Sequence, residues 1–218
     1  MTSTLSFADT SDMVGLHQVF RDALAAAPQL LGDGASGDAA RVQTVAGFYD
    51  TVLRLLHTHH QGEDELMTPL LAARCTPQEA AAITRIAGQH ADVLADLTAA
   101  ETTLAAWRTD PDPTARSAAL AALTQLEASL CPHLDEEEHV VLPIAARHLN
   151  VAEWGQLPEH GMKAFQGDDL WLVLGLVQEQ MPAPAIADME AHLPPPLLQA
   201  WHTHGKQVFT DRIAAVRR

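Results

Sequence analysis

The sequence predicts an all-α protein: an up-down-up-down four-helix bundle with additional C-terminal helices packed on it. Three observations carry this. Apolar residues recur at helical spacing through almost all of the 218 residues, and β-branched alternation of period two is hard to find. The long amphipathic stretches are separated by breaking tracts, GDGASGD at 32–38, RCTP at 74–77 and TDPDP at 109–113. Short turns between helices of similar length make neighbours antiparallel.

Taken in order, the first helix is expected to start at Ser11 or Asp12 as cap and to place Val14, His17, Phe20 and Leu24 on one face. A second helix covers about 39–73, with Val45, Phe48, Val52, Leu55, Leu56, His59, Glu63, Leu66 and Leu70 inward. Pro77 suits the first turn of a third helix, which runs on to Trp107 and aligns Ile83, Ile86, His90, Val93 and Leu97. The fourth, about 114–149, turns Leu123, Leu126, Leu130, His133, Glu137, Val140, Val141 and Ile144 inward. Pro69, Pro132 and Pro143 should kink these helices or break their local hydrogen bonding. Beyond residue 150 shorter helices are expected, packed on the bundle. The division is therefore 11–149 for the bundle and 150–218 for a helical extension.

Composition narrows the partners. The net charge is −15, from 28 acidic and 13 basic side chains, and no basic stripe forms on any helix. Nucleic acid and anionic membrane surfaces are therefore not expected as partners. The run WLVLGLV is too short to span a bilayer. Two cysteines, Cys75 and Cys131, are too few for a disulfide framework, although a single bridge between them stays open. With an amino terminus that lacks a basic segment followed by an apolar run, this reads as a cytoplasmic protein.

The chemistry lies in a unit written twice. HHQGEDELMTP and HLDEEEHVVLP each hold a His, a Glu four residues on and a Pro ten residues after the His: His59, Glu63, Pro69 and His133, Glu137, Pro143. Lone histidines stand 42 and 43 residues upstream, His17 and His90. On a helix, residues four apart share a face, so each unit presents an imidazole and a carboxylate side by side. Each pair continues an apolar stripe, and a buried Glu is costly unless paired or bound to metal. Four His and two bridging Glu suffice for two metal ions. Asp64, Glu65, Asp135, Glu136 and Glu138 are expected to face outward as solvating charges. His57 and His60 lie about 200° and 100° round the helix from His59, so neither is expected to share its metal. Tyr49 is read as packing or a capping hydrogen bond, and His139 and His148 as surface residues.

The order His17, His59xxxGlu63, His90, His133xxxGlu137, with ELMTP and VVLP closing the two long helices, resembles the hemerythrin-like, or HHE cation-binding, family over about residues 11 to 149. The tail, with EWGQLPEHG and LPPPLLQAWHTHG, is similar to the extension of many actinobacterial members. The resemblance implies a carboxylate-bridged non-haem centre of two iron ions, oxo- or hydroxo-bridged, rather than manganese or zinc. The implied ligand is O2, peroxide or nitric oxide. One departure stands out: oxygen-carrying members place a further His one turn after the third-helix His, where this chain has Leu94. That leaves more open positions and points to redox reactivity toward peroxide. The alternative is an oxygen or redox sensor, or an iron-binding module without turnover. A third possibility, oxidation of an organic substrate, requires an apolar pocket beside the metals. If a protein group replaces the missing His, His160 in the tail is the best candidate for an extra ligand or an outer partner of the site.

Overall fold

The computed structural model describes residues 7–32 and 38–218. The expectations that fall on residues 1–6, in the amino terminus, and 33–37, in the GDGASGD tract, lie outside the described residues. Helix α1 spans Ser11–Ala25 and is followed by a helical turn, Ala27–Leu30. Helix α2 is continuous from 39 to 74, built of Ala39–Gly62, a π-helical turn Glu63–Met67, and Thr68–Arg74. Then come α3, Pro77–Ala87, and α4, His90–Thr109. Helix α5 repeats the plan of α2 over 113–148, as Pro113–Glu136, a π turn Glu137–Val141, and Leu142–His148.

These boundaries have local causes. Asp38 accepts hydrogen bonds from the Ala40 and Arg41 amides to open α2, and Asp112 does the same for Thr114 and Ala115 at α5. Thr76 and Glu79 form a reciprocal capping box at α3 with Pro77 in its first turn. Each such cap stabilises its helix by about 1 kcal/mol.

Helices α1, α2, α3 with α4, and α5 form the up-down-up-down bundle. Its core holds Phe20, Leu24, Leu53, Leu56, Leu97, Leu104, Trp107, Leu123, Leu126 and Leu130. Tyr49 packs within it and donates its hydroxyl to the Ala23 carbonyl at 2.8 Å.

The two π turns change which residues face in. Straight α-helical spacing put Leu66 and Leu70 inside; both are only half-buried, and Met67 and Leu71 are the buried ones. Four-residue steps on an α-helix drift by about 40° each. A turn with one more residue, closed by i to i+5 bonds from Thr68 N–H to the Glu63 carbonyl and from Leu142 N–H to that of Glu137, takes the drift back. Pro69 and Pro143 explain the position of the turns. Neither can donate a backbone hydrogen bond, and their rings exclude a carbonyl four residues back. In α1, which has no such turn, Met13 is buried and Val14 43% exposed.

The third helix is not continuous. Gly88 ends α3 with its N–H on the Thr84 carbonyl, Gln89 turns back to Ile86, and a new helix begins at His90. A side chain on Gly88 would stand 3.2 Å from the Arg85 carbonyl.

Beyond the bundle lie a helical turn Val151–Trp154, then α6 (Gln156–Lys163), α7 (Gly167–Glu179) and α8 (Ala183–His192). Helix α9 runs over 195–216 with a π turn at Trp201–Gly205. Helix α6 lies on α2, while α7 lies on α1 and α2. Leu172, Leu176, Ile213 and Val216 belong to the same apolar cluster as the bundle. Asp169 ties the layers together through Arg54, Thr51 and Arg212. Among the described residues no helix is long and apolar enough to cross a membrane, and Cys75 and Cys131 are both free.

Candidate metal centre

The repeated unit converges as its spacing requires. His59 and Glu63 on α2, His133 and Glu137 on α5, His17 on α1 and His90 at the start of α4 meet in one cluster between the helices. His59 Nε2 is 3.4 Å from Glu63 Oε1, and His90 Nε2 is 3.6 Å from Glu63 Oε2, so the two oxygens of one carboxylate face different histidines. Glu137 Oε2 lies 3.6 Å from His17 Nε2 and 3.8 Å from His133 Nε2. Both carboxylates thus stand between two groups of imidazoles.

The second group contains a residue that sequence reasoning left out. His60 stacks on His90 with ring centroids 4.3 Å apart and meets His133 edge-on at 5.2 Å. His60, His90 and His133 form one set able to hold an ion, and His17, His59, Glu63 and Glu137 another, each with its ligand atoms within 4.8 Å of one another. His60 does not share the set of His59, as the 100° offset required. That same offset turns it toward α4 and α5. The sequence carried it only as two adjacent histidines beginning the first unit, which do not say which helices lie beside the second. His57 is exposed.

The cluster is polar in an interior that gives it no partners. His17 Nε2, His59 Nε2, His60 Nε2, His133 Nε2, Glu63 Oε1 and both Glu137 oxygens are buried without a hydrogen bond. Orphaned buried atoms on this scale are expensive. Burial, reinforced by the facing Glu137, pushes the Glu63 carboxyl well above the usual range. Burial, with the neighbouring imidazoles, holds His59 and His60 well below theirs, and burial brings His133 down to about 4. Neutral imidazoles and a carboxyl that lacks a cation describe a set of ligands fitted for metal. All are nitrogen or oxygen donors, with no thiolate among them.

A surrounding layer holds the rings in place. His17 Nδ1 donates to Glu138 Oε1 at 2.9 Å, and this bond, with Arg21, holds the Glu138 carboxyl down at about 2. His90 Nδ1 is 2.9 Å from Asp64 Oδ1, and His133 Nδ1 is 2.9 Å from Gln89 Oε1. Gln89 in turn donates to Glu136. The expectation that Asp64, Glu136 and Glu138 only solvate the surface is therefore corrected: they orient the ring nitrogens that face away from the cluster. Glu65 and Asp135 do face outward.

Two further expectations change. Leu94 is 45% exposed, and the imidazole stacked beside His90 is His60 from α2. His160 joins neither set; its ring lies against Gly62, where a Cβ would meet it at 3.4 Å. Gly62 sits about 100° from Glu63 on the side away from His60. A third group, Cys75, Glu79 and His148, gathers where α2 ends and α3 begins. There Glu79 is already engaged by Thr76 and Arg147.

No curated protein and no solved structure gives a match to this chain. The family model described as the hemerythrin HHE cation-binding domain matches residues 9–145, the stretch that carries every histidine and carboxylate of the cluster. The chain belongs to the hemerythrin HHE cation-binding family.

Proposed function

We propose that the chain is a non-haem di-iron protein that binds one small ligand, O2, peroxide or nitric oxide. In this reading His17 and His59 serve one ion, His60, His90 and His133 the other, and Glu63 and Glu137 are shared. The observation that carries it is the convergence of seven buried, unpaired ligand atoms with both carboxylates between two imidazole groups. Imidazole with carboxylate suits iron, and two shared carboxylates offset the charge of two ions. Two iron ions held there supply a pair of neighbouring redox centres with coordination positions left for a small ligand.

The chain's own residues set what reaches them. A cavity of about 10 Å³ lies against Glu63, Glu137 and His90, walled by Met67, Ile83, Ile86 and Val141, with Thr68 beside them. That is room for about one water-sized molecule. An organic substrate does not fit, which removes support from the third reading given above.

Redox reactivity toward peroxide drew its support from Leu94 as an absent ligand. His60 supplies the fifth imidazole from another helix, and no titratable group other than the ligands lines the cavity. The geometry therefore favours ligand binding, the sensor or reservoir role, over turnover. Iron-loaded protein is expected to carry close to two iron atoms per chain, and to give a spectral change with nitric oxide that saturates at one ligand per metal pair. Sustained consumption of many peroxide molecules per chain would return the assignment to a redox enzyme. One zinc and no iron after iron-replete expression would remove the di-iron assignment.

A further inference from the structure

The two His and Glu helices share a feature beyond the ligands themselves. Directly after each buried glutamate stands a second acid, Asp64 after Glu63 and Glu138 after Glu137. Each of these reaches the lone histidine of the opposite unit, Asp64 that of the second and Glu138 that of the first. The two arms differ in how firmly they are held. Glu138 is 19% exposed and also bound by Arg21 at 2.7 Å, and its partner His17 is wholly buried. Asp64 is 51% exposed, and no Arg or Lys among the described residues clamps it. Its partner His90 is 11% exposed, the most accessible of the seven histidines and glutamates of the cluster. His90 is also the first residue of α4, directly after the break at Gly88 and Gln89. A single hydrogen-bonded turn, Gln89 N–H to the Ile86 carbonyl, precedes it in place of a continuous helix.

We propose that Asp64 and His90 form the port through which metal ions reach the paired site. Asp64 attracts the hydrated cation at the surface, and the His90 imidazole passes it inward toward His60 and Glu63. The clamped arm of His17, Glu138 and Arg21 is a fixed wall. A wider surface groove does reach His133, bordered by Gln89, Asp135 and Glu136. Asp92 lines it as well, but the histidine beneath it, His133, is only 1% exposed against 11% for His90, so the groove does not open onto a ligand. A carboxylate with no Arg or Lys beside it at a narrow opening raises the local cation concentration and the rate of capture.

The port rests on the dinuclear reading, and the experiment separates the two. Metal-free full-length protein is mixed with Co2+ in a stopped-flow instrument, and uptake is followed by visible absorption together with the final metal content. Asp64→Asn is expected to slow uptake about tenfold and to flatten its dependence on ionic strength, with two ions per chain still bound at the end. Asp64→Glu should restore the parental rate. Glu138→Gln should take up metal at the parental rate and hold it about tenfold more weakly. An unchanged rate in Asp64→Asn overturns the port, as does an Asp64→Asn protein that ends short of two ions, because Asp64 would then be only a support for His90. A parent protein that never binds two ions overturns the dinuclear reading itself.

Discussion

His60 and Leu94 exchange the roles that spacing along a single helix gives them. A fifth imidazole is present, but it comes from α2 and stacks on His90 at 4.3 Å, whereas the residue four beyond His90 is 45% exposed. His60→Ala is therefore expected to lower metal content from about two ions per chain toward one, measured by elemental analysis. Leu94→His should leave content and spectrum unchanged; a new ligand-derived band in that variant would show that position 94 does face the metals. The carboxylates give a second comparison. Glu63→Ala or Glu137→Ala leaves buried imidazoles and cations without their shared counter-charge, a loss on the order of 3–5 kcal/mol together with most of the metal. Glu65→Ala, at an exposed side chain bonded to Gln61, should change stability by less than about 0.5 kcal/mol. Equal losses at 63 and 65 in denaturant titrations would mean the helix faces are wrongly assigned. Six of the seven residues in the cluster were legible in the sequence, because a repeated unit fixes a shared face. The seventh was not, since one histidine beside another says nothing about which neighbouring helices flank it.

Helical periodicity located the two long His and Glu helices to within about two residues, and its failures within them and in the third helix have one physical origin. It assumes a uniform turn, and this chain departs from that at Glu63–Met67, at Glu137–Val141 and before His90. The prolines at 69 and 143 marked where hydrogen bonding fails, though not that the remedy is a wider turn that moves the buried face from Leu66 and Leu70 to Met67 and Leu71. A third π turn, Trp201–Gly205, lies in the extension, whose close packing no periodicity displays. There α7 and α9 approach so closely that a Cβ on Gly175 would lie 2.2 Å from the Phe209 ring. Gly175→Ala must displace Phe209 and should cost about 1–3 kcal/mol. Combined with Phe209→Ala, the same change should cost much less than it does alone, because the clash is gone. Strict additivity of the two substitutions in thermal or denaturant unfolding would place the helices further apart than described here.

At the scale of the whole molecule, the centre joins four helices through side chains that have no other partners, so metal binding and folding are linked. The sign of the linkage follows from the imidazoles. In the unfolded chain a histidine takes up a proton as pH falls through about 6.5. In the metal-free fold, burial keeps His133 neutral until about 4, and His59 and His60 are also held down. Between those limits the unfolded state binds more protons, so stability of the metal-free protein falls as pH falls from about 6.5 to about 4. His133 alone contributes on the order of 3 kcal/mol to that loss. Glu63 acts in the opposite sense, because its raised carboxyl favours the metal-free fold at lower pH and this contribution is lost as pH rises. Bound cations relieve that penalty at neutral pH by keeping the carboxylate ionised and paired. Metal removal by a chelator is therefore expected to lower the thermal midpoint at pH 7. The same imidazoles resist protonation in the fold, so loaded protein should keep its metal through pH 6 and release it between about 5 and 4, near where His133 titrates. Following metal content and circular dichroism together against pH checks both statements. Release already complete at pH 6 would mean that solvent reaches these rings far more freely than their burial allows.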